Sequence, residues 1–189
     1  MRLRLMRLRS FVFFAAVVLA VGTAGTAFAG PKGKGPKGPT IVDVAVFLNT
    51  QSGEFETLIA AINAADPAVV ATLTGGGQHT VFAPTDQAFA NLGLNSGNLC
   101  LLSTEELTKI LLFHVARGRR DAGEVTSSDT IRTLLGTRLE QANGVLMDQL
   151  GRTSAIVIPD VPAANGIIHV VADVVLPFAP TVDPSGCAS

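Results

Sequence analysis

The chain has 189 residues with 14 Lys and Arg against 15 Asp and Glu, and four of the arginines (Arg2, Arg4, Arg7, Arg9) precede an unbroken apolar run from Phe11 to Val21. With Ala27 and Ala29 at the two small-residue positions of a peptidase site, this layout predicts a secretory signal peptide over residues 1–29. Its removal leaves 10 basic residues against 15 acidic ones, and the part from Thr40 onward carries seven against 15, a net of −8 that argues against nucleic acid or anionic lipid as the main partner.

A retained membrane anchor would need about 20 consecutive apolar residues, and Gly22, Thr23, Gly25 and Thr26 interrupt the run. Stable membrane insertion after cleavage is therefore not expected, and the chain reads as secreted or extracellular, with the periplasm or a cell surface as possible destinations. Residues 30–39, rich in Gly, Pro and Lys, hold nothing able to fill a core and break the every-third-glycine rule of collagen. They predict a flexible linker. Residues 40–178 have the size of one domain with a substantial core, followed by a tail over 179–189.

The first helix is predicted from Thr40 as N-cap, with Ile41, Val44, Ala45 and Leu48 on one face. A second follows with Ser52 as its cap and Phe55, Leu58, Ile59 and Ile62 as its stripe, and Asp66-Pro67 interrupts before a short turn from Ala68 to Leu73. Beyond Gly75-Gly-Gly77, residues His79 to Ala83 read as a buried strand. Pro84 ends it, Thr85 is placed to cap a new helix, Asp86 to set negative charge against that helix's first amides, and Phe89 to return to the core. Ser103 and Glu106 form a capping box. The helix they open carries Leu107, Ile110, Leu111 and His114 on one face and is expected to run to Arg117-Gly118. From Ile131 to Leu150 short β-like runs alternate with turns, and Asn143-Gly144 signals a type I′ hairpin. Two more strands are predicted over Ala155–Ile158 and Ile167–Leu176, with Pro159-Asp160 as an exposed turn between them. Helices early and strands late give an α+β domain.

Cys100 and Cys187 form an even pair in an exported chain and read as a disulfide, two separate thiols being the competing reading. His79, His114 and His169 lie on apolar elements without metal-ligand spacing. Serines lack a nucleophile elbow, and Gly75-Gly-Gly77 lacks the lysine of a phosphate loop. His169 and Asp173 share a strand face but stand about 13 Å apart along it, too far for an acid-base pair. With no Trp and no Tyr, the chain also lacks aromatic platforms for sugars or bases. No catalytic residue, metal or cofactor is expected.

Three ordered segments carry a resemblance: Thr80-Val-Phe-Ala-Pro-Thr-Asp-Gln-Ala-Phe89, Phe113-His114, and Asn165-Gly-Ile-Ile-His-Val-Val-Ala-Asp173. Together they resemble the hallmark segments of the fasciclin domain family. The resemblance implies a wedge of β-strands packed against a cluster of helices, with Thr80, Phe82, Pro84, Thr85, Asp86, Phe89, His114, Asn165, Gly166 and His169 as structural motif residues. It also implies a secreted or surface-attached adhesion module without enzymatic activity. In animal members that bind integrins, a Pro-Asp-Ile element and a Tyr-His pair are implicated in adhesion. Here Pro159-Asp160-Val161 stands at the first as the candidate adhesion loop, and Phe113-His114 at the second, lacking the tyrosine hydroxyl. The expected partner is a cell-surface or matrix protein or glycan. The alternative is a carrier of a small apolar ligand lodged between helices and sheet, and a secreted hydrolase ranks third.

Overall fold

The computed structural model describes residues 36–187. The expected signal peptide and the first residues of the expected linker lie outside the described residues. At the other end of that linker Pro39 is already docked, its carbonyl accepting from the Ala164 amide at 2.8 Å.

Three helices come first: α1 (Ile41–Ser52), α2 (Glu56–Ala64) and α3 (Pro67–Thr74). Thr40 and Asp43 close a capping box at the start of α1, and Gly53 ends it at φ +68°, a left-handed conformation glycine adopts without penalty. The expected turn over 68–73 is the body of α3, because Asp66 caps it and Pro67 occupies its first turn, where the missing amide costs nothing. Then come β1 (His79–Pro84), α4 (Asp86–Ala90), α5 (Thr104–Phe113), β2 (Val115–Arg117) and α6 (Ala122–Thr126). The chain closes with β3 (Thr130–Arg132), β4 (Arg138–Ala142), β5 (Val145–Met147), β6 (Thr153–Ala163) and β7 (Gly166–Val171).

Two boundaries differ from the sequence reading. The fifth helix stops at Phe113 because residues 115–117 pair antiparallel with β1, Val115 opposite Val81 and Arg117 opposite His79. The last strand stops at Val171. Ser154 exchanges hydrogen bonds with the Asp173 backbone at 2.9 Å, and the amides of Val175 and Leu176 turn to side chains outside the ladder.

The sheet runs β2-β1-β7-β6-β5-β4-β3, with β1 and β7 parallel and the other pairs antiparallel. It curls until its ends meet: Ala116 bridges Thr133, and the Leu134 amide donates to the Val115 carbonyl at 2.6 Å. Inside the curl lie Phe82, Ala116, Ile131, Leu139, Leu146 and Val171, joined by Phe113, Val125 and Val175, all at most 1 % exposed. Each large side chain so buried contributes roughly 1.5–3 kcal/mol. The outer face is divided. On the β1 and β7 half, Val81, Ala83 and Ile168 pack against Ile41, Leu58, Ile62 and Leu111 of the helices. On the β3 to β6 half, the outward residues face solvent.

The β4–β5 hairpin turns at Asn143 and Gly144 with φ +52° and +80°, the both-positive signature of a type I′ turn. Cys100 and Cys187 are joined as a disulfide with Cα atoms 5.0 Å apart, holding the tail against the turn after α4. Among the described residues no single helix is long and apolar enough to cross a membrane.

Candidate functional site

The segment from Thr80 to Phe89 builds a junction between sheet and helices. The Thr80 hydroxyl donates to the Gly118 carbonyl at 2.8 Å and accepts from the Arg120 amide at 2.9 Å, fixing the chain as it leaves β2. Phe82 is fully buried and stacks on His169 with ring centroids 5.7 Å apart. Pro84 closes β1, Thr85 caps α4 by accepting from the Ala88 amide, and Phe89 is 4 % exposed. Asp86 departs from expectation. Its carboxylate accepts from the amides of Glu56 and Thr57 at 3.2 and 2.8 Å, so it caps α2 rather than its own helix. Ser52, expected to cap α2, instead bonds the end of α1. The cap residue of α2 is Phe55, whose side chain has nothing to offer an amide.

His114 ends α5. Its Nδ1–H donates to the Ile110 carbonyl at 2.8 Å and its Nε2 accepts from the Val175 amide at 3.1 Å, which requires the neutral ring. Complete burial pushes its pKa down to about 4. Asn165, also fully buried, spans three elements: its amide donates to the Leu73 and Gly75 carbonyls and its oxygen accepts from the Ile41 amide. Next to it, a side chain on Gly166 would collide with the His79 carbonyl oxygen, so glycine alone fits where β7 passes β1.

Pro159, Asp160 and Val161 are not a turn. They lie within β6, at a register shift between Ile158 and Val161 in its pairing with β7. Asp160 adopts φ +62° there, its Oδ1 accepts from the Ala122 amide at 2.8 Å, and its own amide donates to His169 Nδ1 at 3.2 Å. The Nε2–H of His169 donates to the Arg120 carbonyl at 2.9 Å. The candidate loop is thus a β-bulge that seats α6 and orients a buried histidine. Asp173 lies apart from His169, accepting from the Asn91 side chain at 2.9 Å.

Two features escaped the sequence reading. Asp148, with a side chain 1 % exposed, takes a two-pronged bond from Arg152 at 2.8 and 2.9 Å and further bonds from the amides of Leu150, Arg152 and Leu176. Burial pushes its pKa up, but these donors outweigh it and hold the carboxyl below its ordinary value. The i, i+4 spacing of Asp148 and Arg152 was the available signal. The second is an apolar patch on the bare half of the sheet, where Val145 (39 % exposed), Met147 (37 %) and Val157 (41 %) stand together. The register sets Val145 beside Ala142 and Ala155, and Met147 beside Glu140 and Thr153.

Among the described residues, an enclosed apolar void under α1 and α5 and another beside Phe89 measure about 20 and 10 Å³, at most the room of a single water. A wider cavity of about 490 Å³ lies open to solvent beside His79 and Arg117.

The comparisons agree with this architecture. The fasciclin domain model matches residues 53–177. Protein sll1483 of Synechocystis sp. is 38 % identical over 143 residues, covering 73 % of each chain. The cell surface glycolipoprotein MPB83 of Mycobacterium bovis is 28 % identical over 168 residues, covering 87 % of this chain and 74 % of its own. Among solved structures, a FAS1 domain pair from the insect cell adhesion molecule fasciclin I superposes with a TM-score of 0.54 at 19 % identity, over 66 % of this chain and 46 % of its own. This chain therefore spans about half of that structure, one domain of its pair. The chain belongs to the fasciclin domain family.

Proposed function

We propose that this protein is a secreted, non-enzymatic attachment module, a single fasciclin domain over residues 40–178 that binds a protein or glycan of the cell surface or extracellular matrix. The observation that carries the reading is the division of the sheet's outer face: helices cover one half, while Val145, Met147 and Val157 stand exposed on the other, beside Pro159 at the bulge. Apolar side chains grouped on an uncovered sheet face offer contact surface to a partner. A carrier of an apolar ligand would need an apolar cavity of several hundred Å³; the cavity of about 490 Å³ is open to solvent and lined in part by Thr72, Gln78, His79 and Arg117, and the enclosed apolar voids between helices and sheet and beside Phe89 measure about 20 Å³ or less. His114 and His169 have both ring nitrogens engaged with the fold, which leaves neither in place for proton transfer. The family's members are generally non-enzymatic adhesion modules, and two relatives bear the words cell surface or cell adhesion in their names.

The test is retention of purified mature chain on isolated cell envelope or matrix, run beside titration with a fluorescent fatty acid. Saturable retention on the envelope without fatty-acid uptake supports the proposal. Stoichiometric fatty-acid binding without retention favours the carrier and overturns it.

A further inference from the structure

Five of the seven basic residues beyond Thr40 fall between Arg117 and Arg138 in a part of the chain that is otherwise acidic. Strand register lines three of them up. Arg117 of β2 stands opposite His79, the antiparallel bridge between Ala116 and Thr133 sets Arg132 of β3 beside Arg117, and Arg132 pairs directly with Arg138 of β4. Their neighbours Ala116, Ile131, Thr133 and Leu139 are buried at 4 % exposure or less, so all three arginines stand on the outer face. Neighbouring strands are spaced about 4.8 Å apart. Like charges directly opposite one another destabilise a sheet, yet among the described residues none of the three arginines is in an ion pair. The carboxylate nearest in register on this face, Glu140, lies two residues along β4 from Arg138, about 7 Å away.

At its β1 end the row opens into the cavity of about 490 Å³, lined by Thr72, Gln78, His79, Arg117 and Leu134 among others. His79 lines that cavity, its ring packed against Gly77. Three guanidinium groups in line are suited to two-pronged bonds with successive carboxylates or sulfates. With no Trp or Tyr in the chain and no Phe among the residues that line the cleft, recognition there rests on charge. The 15 acids against seven bases repel a broad anionic surface such as duplex DNA or a lipid bilayer, whereas a narrow flexible chain can follow the row and avoid them.

We propose that Arg117, Arg132 and Arg138, with the cleft at His79, form a binding site for an acidic polysaccharide. The inference rests on the reading of the chain as an extracellular attachment module, but it concerns the β2 to β4 stretch of the outer face, where Glu140 stands between Arg138 and Met147 of the apolar patch.

The experiment titrates mature chain with alginate and with dextran sulfate, with neutral dextran, phosphatidylserine vesicles and duplex DNA as comparisons, over a range of salt. Alginate separates carboxylate from sulfate recognition. Both or either polyanion should bind and neutral dextran should not. The triple variant R117Q/R132Q/R138Q should lower the slope of log affinity against log salt by about 2, at roughly 0.7 per lost contact. The triple Arg→Lys variant should keep most of that slope, and Lys109→Gln should change nothing. The Gln variant should melt at or above the parent, since it relieves repulsion between strands. Unchanged binding by the Gln variant would assign the affinity elsewhere, Lys32, Lys34 and Lys37 being retained throughout, and would overturn the proposal. Equally tight, Arg-dependent binding of DNA or vesicles would overturn the polysaccharide assignment. A parent chain that binds neither polyanion yet attaches to cell envelope removes this inference and leaves the attachment function standing, whereas a parent chain that attaches to nothing removes both.

Discussion

Asp160 shows how the structure changes an expectation of tolerance into one of sensitivity. As an exposed turn residue it would accept alanine at a cost within about 0.5 kcal/mol. In the bulge it has two duties. Its Oδ1 accepts from the first amide of α6 at 2.8 Å, and its backbone holds φ +62°. Losing a capping acceptor costs about 1 kcal/mol, and forcing an alanine into the left-handed region, which Asp visits more readily, costs about another 1 kcal/mol. The sum, about 2 kcal/mol, corresponds to a fall in melting temperature of about 4–8 °C for a domain of this size. Asp160→Gly keeps the backbone and loses the acceptor, so it should fall by about half as much. Asp160→Asn keeps both and should melt with the parent. Thermal melts of the three variants decide the matter, and an Asp160→Ala protein that melts with the parent would refute the assignment of Asp160 as a structural cap.

His114 predicts a pH dependence. Its folded pKa of about 4 lies below the ordinary 6.5, so as pH falls between these values the unfolded chain takes up the proton first and stability is lost. The loss is on the order of 3 kcal/mol across the window. Denaturant titrations should show a flatter dependence there for His114→Gln, at a lower starting stability. Asp86→Ala should destabilise by about 1–2 kcal/mol through the uncapped α2, while Ser52→Ala should stay within about 0.5 kcal/mol, an order that chemical denaturation reads directly. Gly166→Ala should cost about 3 kcal/mol or prevent folding, because the new methyl has no space against the His79 carbonyl. Soluble yield and melting temperature check it.

What the sequence made legible was local. The cap at Thr40 and the capping box at Ser103 join residues three apart, so both partners stand in one short window. The Asn143-Gly144 turn needs two positive φ angles, which those residue types announce. Asp86 was misread because its partners, Glu56 and Thr57, lie 30 and 29 residues earlier, and a side chain can cap any helix that tertiary packing brings to it. The apolar run through Phe113 and Val115 suits a helix or a strand equally, and pairing with β1 decided it. The bulge at Asp160 depends on a register shift with β7 that no local pattern records. The arginine row arises from three strands and one bridge, so it exists as a site once the sheet has curled.

If the bare half of the sheet attaches this domain to its partner, making its apolar side chains polar must weaken attachment. The most direct measurement is a binding isotherm of mature chain on isolated cell envelope for the parent and for the variant Val145→Asn/Met147→Asn/Val157→Asn, each first shown to melt cooperatively. Because these side chains are already 37–41 % exposed, the variant should fold with little loss of stability. Its attachment should fall by at least about tenfold, the consequence of losing roughly 1.4 kcal/mol of buried apolar contact. An isotherm that overlays the parent's would contradict it.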